Sequence, residues 1–339
     1  MSRRFGALAV PAVIALITLA LWRIGSSSGA LVVYCAHDAI FAEEILKRFE
    51  KESGTRVAVR YDTEATKSLG LVELLVREKD APRCDVFWNN EVLGTIDLAE
   101  RGVLAPYRGA GWERIPAAFK DSDARWTGFA ARLRVVIVNT ERQRADEAAI
   151  RECLAGNLSR AAIAKPLYGT TLTHYSLLWQ RMGRERLTAW HRDWRARGGR
   201  EANGNAAVKD LVAEGACDFG FTDTDDFFEA KDDGKPVAAL PVRLDDGATI
   251  CIPNTVAITR GARHEVEARK LVDYLLSAET ELALARSKSR QIPLGPVPED
   301  RVPAEVRELR SWAASGVPLA NLSEARSECL AWLKSEYLK

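Results

Sequence analysis

The chain alternates short apolar runs with amphipathic segments, and no other feature of the sequence restricts its fold as strongly. The run LVVYCA at 31–36 predicts a strand, and the segment at 39–52 places Phe41, Ile45 and Phe49 at helical spacing. Two further strand–helix pairs lie at 56–62 and 68–79, and at 85–88 and 92–101. This βαβαβα order predicts an α/β fold with a mostly parallel sheet covered by helices.

Two long β-rich segments divide the rest of the chain. The segments 131–140 and 249–259 flank a middle block, 141–248, in which the α/β pattern is repeated. Beyond it the chain is largely helical. We therefore expect two lobes, each a mostly parallel sheet flanked by helices. The first comprises 31–130 and 260–339, the second is the middle block, and the two long segments cross between them as a hinge.

The first thirty residues differ from the remainder. Arg3 and Arg4 precede an uncharged apolar run, Phe5–Trp22, which is followed by the small-residue stretch GSSSGA. This pattern is typical of a secretory signal peptide, with an uncleaved membrane anchor as the alternative. Since no cysteine lies between Trp22 and Ala30, a lipoprotein linkage there is not expected. In either case the folded part is predicted to lie outside the cytoplasmic membrane.

Charge and motifs exclude several classes of protein. The 48 basic and 47 acidic residues give a net charge of +1 with no basic stripe, which argues against a nucleic-acid partner. The sequence has no glycine-rich phosphate loop, HExxH or paired CxxC motif, and no serine with a neighbouring histidine at a turn suited to a nucleophile. The acids could supply a glycosidase pair, so a hydrolase remains an alternative. We expect a binding protein without a catalytic cofactor.

Cysteines and histidines are expected to be structural for the most part. Cys35 lies near the end of one predicted strand and Cys84 at the start of another, so parallel strands would hold the two sulfurs too far apart for a bridge. Buried thiols are therefore predicted for this pair, with any pairing among the other four cysteines left open. His174, His191 and His264 lie on or beside predicted helices and are assigned structural or surface roles.

Polar side chains follow each predicted strand. In an open parallel sheet, ligands bind beyond the carboxyl ends of the strands, at the helix N-termini. The candidate residues at these ends and on the first crossing are His37, Asp38, Glu64, Trp88, Asn90, Glu91, Arg132, Thr170, Thr171, Asn205, Asp223, Thr224, Asp225 and Asp226. Acids outnumber bases among them, and Arg132 and Arg134 are the nearest cations.

Several of these residues have a structural alternative. Asp38, Thr171 and Asn205 could be helix caps. Glu64 could pair with Lys67 on a solvated helix face, and Trp88 could belong to the core. The stretch TDTDD at 222–226 poses the sharpest question, because three carboxylates directly after an apolar strand repel one another. Solvent, hydrogen-bond donors or a bound cation must offset that repulsion, and we expect this stretch to be a loop that clamps a ligand.

Six segments together resemble a known family. They are LVVYCAHD, CDVFWNNE, GFAARLRVVIVNT, NGNAAVKDLVAEGACDFGFTDTDD, IPNTVAITRGARHEVEARKLVDYLLS and QIPL. The chain resembles the periplasmic substrate-binding proteins of bacterial ABC importers, and more closely the ferric-ion-binding branch of their type II fold. The resemblance implies a two-lobed fold, capture of a small ligand in the interlobe cleft, and a membrane permease as partner. We expect the protein to act as a monomer.

The resemblance also implies a metal site, with one departure. In the ferric binders the iron is held by a histidine of the first loop, a glutamate after the third strand and two consecutive tyrosines. His37 and Glu91 match the first two ligands, but the tyrosine pair falls on Thr224 and Asp225. The implied ligands for Fe or another metal ion are therefore His37, Glu91 and Asp225, helped by Asp223 or Asp226.

The resemblance further implies a companion anion for the metal and, as an alternative to the metal, an organic ligand. Arg132 matches a family arginine that helps hold an anion such as carbonate. Related importers without the tyrosines carry sugar phosphates, phosphonates or polyamines. An organophosphate would require several helix N-termini and cations with few competing acids, and the acid excess argues against it. An organic cation or a polyol would suit the aspartates together with Trp88.

Overall fold

The protein is described from a computed structural model that covers residues 29–37, 39–62 and 69–337. The predicted signal or anchor, Asp38 and Glu64 lie outside these described residues. Among the described helices, none has the length and hydropathy required to cross a membrane.

The described residues form ten strands and thirteen α-helices, which confirms the α/β class. The strands are β1 (Leu31–Cys35), β2 (Val57–Tyr61), β3 (Val86–Asn89), β4 (Leu104–Ala105), β5 (Thr127–Asn139), β6 (Ala161–Ala164), β7 (Arg200–Ala202), β8 (Phe219–Asp223), β9 (Val237–Pro241) and β10 (Cys251–Thr259). The helices are α1 (Ala39–Ser53), α2 (Leu69–Arg77), α3 (Leu93–Glu100), α4 (Ala110–Arg114), α5 (Glu147–Ala155), α6 (Gly169–Met182), α7 (Arg184–Ala196), α8 (Asn205–Ala213), α9 (Thr224–Asp232), α10 (Glu265–Leu275), α11 (Ala278–Arg286), α12 (Ala304–Ala313) and α13 (Ser323–Tyr337).

The sheet is mixed, and β5 joins its two halves. The strand order is β2-β1-β3-β10-β5-β8-β6-β7, with β4 added beside β10 and β9 beside β5. The pairs of β1 with β2 and β3, and of β6 with β7 and β8, are parallel as predicted. The two long strands run antiparallel to their neighbours. Because the first part of β5 pairs with β10 and the second part with β8 and β9, one strand serves both halves.

Apolar periodicity explains why these elements form and pack. On α1, Ala42, Ile45, Leu46 and Phe49 recur along one helical face and pack against β1 in a common core. All thirteen residues of β5 are buried, as expected for a strand covered on both faces. The sheet thus holds the carboxyl ends of its parallel strands in place for the site described below.

The C-terminal helix α13 contacts helices of both sheet halves. The indole nitrogen of Trp179 on α6 donates to Glu328 Oε2 at 2.9 Å, and the rings of Trp179 and Trp332 pack with centroids 5.7 Å apart. Towards the other half, a guanidinium nitrogen of Arg326 lies 3.6 Å from Asp97 Oδ2 on α3. Helix α13 therefore connects α6 with α3.

The six cysteines are thiols, and five of them are buried. The parallel register pairs Val33 with Val86, which leaves Cys35 and Cys84 at opposite ends of their strands, as predicted. Burial raises the pKa of Cys84 well above its usual value, and that of Cys251 to about 12. These thiols therefore belong to the core.

Candidate functional site

A polar cavity of about 150 Å³ lies beyond the carboxyl ends of β6, β7 and β8. The first turns of α6, α8 and α9 all contribute to its wall. Its lining residues are Phe41, Asn90, Arg132, Ala164, Lys165, Tyr168, Gly169, Thr170, Thr171, Gly204, Asn205, Ala206, Asp223, Asp225, Asp226 and Glu229. This is the position at which open α/β sheets bind ligands.

All three helices begin at the wall of this cavity. At their N-caps, Tyr168, Gly204 and Asp223 do not cap their helices with a side-chain hydrogen bond. Gly169 starts α6 with φ of 59°, a left-handed backbone that favours glycine. The first N–H groups of a helix have no intrahelical acceptor and carry the positive end of the helix dipole. The ends of α6 and α8 therefore favour an anionic group at this cavity, whereas the end of α9 carries Asp225 and Asp226 in its own first turn.

A buried ion pair between Arg134 and Asp223 organises the wall. The two residues are cross-strand partners on β5 and β8, and Arg134 Nη1 donates to Asp223 Oδ1 at 2.8 Å. Thr170 Oγ1 and Asn205 Nδ2 donate to the other carboxylate oxygen at 2.6 and 2.9 Å. Since Thr170 is on α6 and Asn205 on α8, this one carboxylate fixes the starts of two helices against the sheet.

Arg132 lies two residues before Arg134 on the same face of β5 and reaches across the cavity. Its Nε is 3.6 Å from Asp223 Oδ2 and 3.7 Å from Asp225 Oδ2. Its Nη2 donates to the carbonyl of Asn90, which follows β3, at 2.5 Å. This guanidinium therefore links the loop after β3 to the start of α9.

The aspartates of TDTDD are not on a loop, which corrects the sequence-based expectation. Asp223 ends β8, and Asp225 and Asp226 lie in the first turn of α9. Carboxylates at this end of a helix interact favourably with its dipole, and Thr222 Oγ1 also donates to Asp226 Oδ2 at 2.6 Å. The repulsion within the cluster is thus offset by two arginines and a helix N-terminus.

The predicted excess of acids in the cavity is neutralised by tertiary contacts. The charged lining residues are Arg132, Lys165, Asp223, Asp225, Asp226 and Glu229. Behind them, Arg134 pairs with Asp223, and Lys209 pairs with Glu229 at 2.9 Å and with the exposed Asp210. With these two partners counted, four basic side chains offset the four acids that line the cavity, and Lys209 is shared with the exposed Asp210.

Glu91 caps a helix and does not line the cavity. Its carboxylate accepts from the backbone N–H groups of Leu93 and Gly94 at 2.5 and 2.7 Å, at the start of α3. It also accepts from Asn89 Nδ2 at 3.1 Å and from Thr173 Oγ1 on α6 at 3.4 Å. These bonds orient the carboxylate towards α3 and α6.

His37 and Trp88 lie together in a buried aromatic cluster. Only 2 % of His37 is exposed, its ring packs 5.4 Å from that of Trp88, and its Nε2 lies 3.1 Å from Gln291 Nε2. Trp88 is fully buried and also packs on Phe129. The structural alternative for Trp88, a core residue, is the one observed.

The structure does not gather His37, Glu91 and Asp225 into one set of metal ligands. Within the described part of the chain, one group of three or more His, Cys, Asp or Glu side chains has donor atoms that all lie within 4.8 Å of one another: Asp223, Asp225 and Asp226. Thr224, at a position of the family's tyrosine pair, is fully buried, and its hydroxyl accepts from the backbone N–H of Leu133 on β5 at 3.3 Å.

Most of the predicted residues do meet at the cavity: Asn90, Arg132, Thr170, Thr171, Asn205, Asp223, Asp225 and Asp226. Sequence reasoning missed Lys165 and Glu229. Lys165 directly follows β6, so the strand-end rule could have identified it. Glu229 lies one helical turn beyond Asp225 on α9, and only a correct assignment of that helix would have placed it on the same face.

The chain belongs to the bacterial extracellular solute-binding protein family, whose sequence profile matches residues 31–287. It is therefore a solute-binding protein of an ABC importer that works outside the cytoplasm, with a small ligand and a membrane permease as partners. The family is one of binding proteins rather than enzymes.

Several solved structures have the same fold. Iron-bound HitA from Pseudomonas aeruginosa has a TM-score of 0.79 at 22% identity, over 90% of this chain and 98% of that one. The ferric binding protein from Campylobacter jejuni has a TM-score of 0.78 at 18% identity, over 90% and 98%. AfuA from Actinobacillus pleuropneumoniae, with exogenous fructose-6-phosphate bound, has a TM-score of 0.71 at 17% identity, over 91% and 99%. The chain thus has the two-lobed type II fold of periplasmic binding proteins.

Proposed function

We propose that this protein captures a small organic solute with an anionic oxygen group, such as a phosphate ester or a phosphonate, and delivers it to its permease. The observation that carries the proposal is the convergence of the N-termini of α6 and α8 with Arg132 and Lys165 on one cavity. Helix N-termini and guanidinium groups are the usual partners of phosphate oxygens in proteins. The proposed role is binding without a chemical step.

The charge balance of the cavity favours this solute over a bare cation. The acids that would attract a cation are matched by basic side chains, two of which lie behind the wall. Asp225 and Asp226 are then suited to accept hydrogen bonds from hydroxyl groups of the solute.

The proposed binding mode also involves the two predicted lobes. We propose that the two halves of the sheet form two lobes, with the crossings at 131–140 and 249–259 as the hinge. Arg132, on the first crossing, contacts the loop after β3 and the start of α9. A solute bound beside this side chain would therefore contact both lobes and favour their closure. We propose that the receptor acts as a monomer.

Calorimetry with fructose 6-phosphate, fructose and inorganic phosphate tests the proposal. Hydrogen bonds to charged groups contribute about 1.5–3 kcal/mol, so the phosphate ester should bind at least about tenfold more tightly than the parent sugar. Arg132→Gln should remove most of that preference. The matched control is Arg192→Gln, since that arginine is 66% exposed on α7 and does not line the cavity. Equal affinity for the sugar and its phosphate would contradict the proposal.

A metal ion is the second candidate, and the aspartate cluster favours it. The donor atoms of Asp223, Asp225 and Asp226 lie close enough together to share one ion, and carboxylates are hard oxygen ligands. Elemental analysis and calorimetry on chelator-stripped protein would detect such a site. Binding of Fe or another ion below about micromolar concentration, lost in Asp225→Asn, would select this candidate; no metal binding in that range would remove it.

A further inference from the structure

A second cavity, of about 470 Å³, opens on a different part of α6. Its wall includes His174, Leu178 and Met182, which follow one another at four-residue spacing on one face of this helix. The first turn of α6 lines the polar cavity described above, so this helix contributes to the walls of both cavities. The volume falls within the range of about 300–1,000 Å³ that is typical of small-molecule sites.

The body of this second cavity is apolar. Trp190 and Phe221 supply aromatic faces, and Ile163 and Val242 supply branched aliphatic ones. Small-molecule sites are typically lined by such side chains, together with a few polar groups that fix the orientation of the ligand.

His174 supplies a polar group at a buried position. The residue is 4% exposed, and within the described chain its Nδ1 has no hydrogen-bond partner. Burial, helped by the charge of Arg134, lowers the pKa of His174 to about 3, so the imidazole is neutral near pH 7. A neutral imidazole offers one N–H donor and one acceptor nitrogen. Because His174 also lines the cavity, its ring is available to a polar group of a ligand bound there.

The charged groups at the rim do not favour a charged ligand. Arg181 pairs with Asp246 at 3.1 Å, and Arg243 pairs with Glu147 at 2.8 Å. The remaining charged lining residue, Asp245, is an exposed acid that would repel an anion. With the imidazole neutral as well, the cavity suits an uncharged molecule.

We propose that this cavity is a second ligand-binding site, for an uncharged molecule with an aromatic or branched aliphatic body and one hydroxyl or amide group hydrogen-bonded to His174. The site is separate from the polar cavity, and the inference does not depend on which solute that cavity holds.

Calorimetry with phenol, toluene and benzoate tests this proposal. Phenol should bind with one-to-one stoichiometry and about three- to tenfold more tightly than toluene, which is the range that one net hydrogen bond supplies. Benzoate should bind more weakly than phenol, because its charge must be desolvated. His174→Phe keeps a ring of similar size and should abolish the preference for phenol over toluene.

A second variant tests the location independently. Met182→Trp, at a half-buried position of the wall, fills part of the cavity and should weaken phenol binding at least about tenfold. Val266→Trp is the matched control, since this valine is 62% exposed on α10 and should leave phenol binding unchanged. The proposal is overturned if neither phenol nor toluene binds, if phenol keeps its advantage in His174→Phe, or if Met182→Trp binds phenol as the wild type does.

Discussion

Removing the Asp223 carboxylate should destabilise the protein strongly, because it leaves the Arg134 guanidinium buried without its ion-pair partner. Arg134 is fully buried, and two of its nitrogens, Nε and Nη2, have no hydrogen-bond partner among the described residues, so no other contact compensates their desolvation. Breaking a buried ion pair from one side typically costs about 3–5 kcal/mol. Thr170 and Asn205 would also lose an acceptor. We expect Asp223→Ala to lower the free energy of unfolding by about 3–5 kcal/mol.

Urea denaturation followed by circular dichroism measures this loss. With an m-value of about 3 kcal/mol/M, the midpoint should fall by about 1–1.7 M. Asp225→Ala is the matched control. The Asp225 carboxylate lies 3.7 Å from Arg132 Nε at the cavity wall, and its removal should lower the free energy of unfolding by no more than about 1 kcal/mol.

A double variant separates the ion pair from simple loss of volume. Asp223→Ala combined with Arg134→Met should be more stable than Asp223→Ala alone, since an apolar side chain replaces the unpaired charge. If the two single aspartate variants lose equal stability, or if the double variant recovers none of the loss, the buried pair does not organise the wall in the way described.

Three further predictions follow from the same contacts. Burial lowers the pKa of His174 from 6.5 to about 3, so between these pH values the unfolded chain binds a proton that the folded chain does not, and stability falls as the pH drops. Relative to His174→Phe, the wild type should lose about 2 kcal/mol more stability on going from pH 7 to pH 5, as measured by denaturation at each pH. Glu91→Ala removes the cap of α3 and should lower the free energy of unfolding by about 0.5–2 kcal/mol, as measured by thermal unfolding. Calorimetry should show unchanged solute binding. Loss of binding with normal stability would instead make Glu91 a ligand. Lys165→Gln should weaken binding of the phosphate ester less than Arg132→Gln does, because Lys165 hydrogen-bonds at an exposed position; the reverse order in calorimetry would contradict the proposed roles.

Much of the order of strands and helices could be predicted from the sequence alone, although the start of α9 was expected to be a loop and strands β4 and β9 were not predicted. The segment predicted as a helix at 39–52 is Ala39–Ser53 in the structure, and the two long β-segments correspond to β5 and β10. The two-residue period of a strand also places Arg132 and Arg134 on one face of β5. These features depend on side chains within a few residues of one another, so local periodicity carries the information.

Tertiary structure alone decided which charges meet. Arg134 and Asp223 are 89 positions apart, and only the pairing register of β5 with β8 brings them together. That contact, with the one between Lys209 and Glu229, turns a predicted acidic cleft into a balanced one. His37 lies beside Gln291, 254 positions away, and not beside the aspartates. Electrostatic interactions depend on distance and burial, and packing sets both between residues that are remote in the sequence.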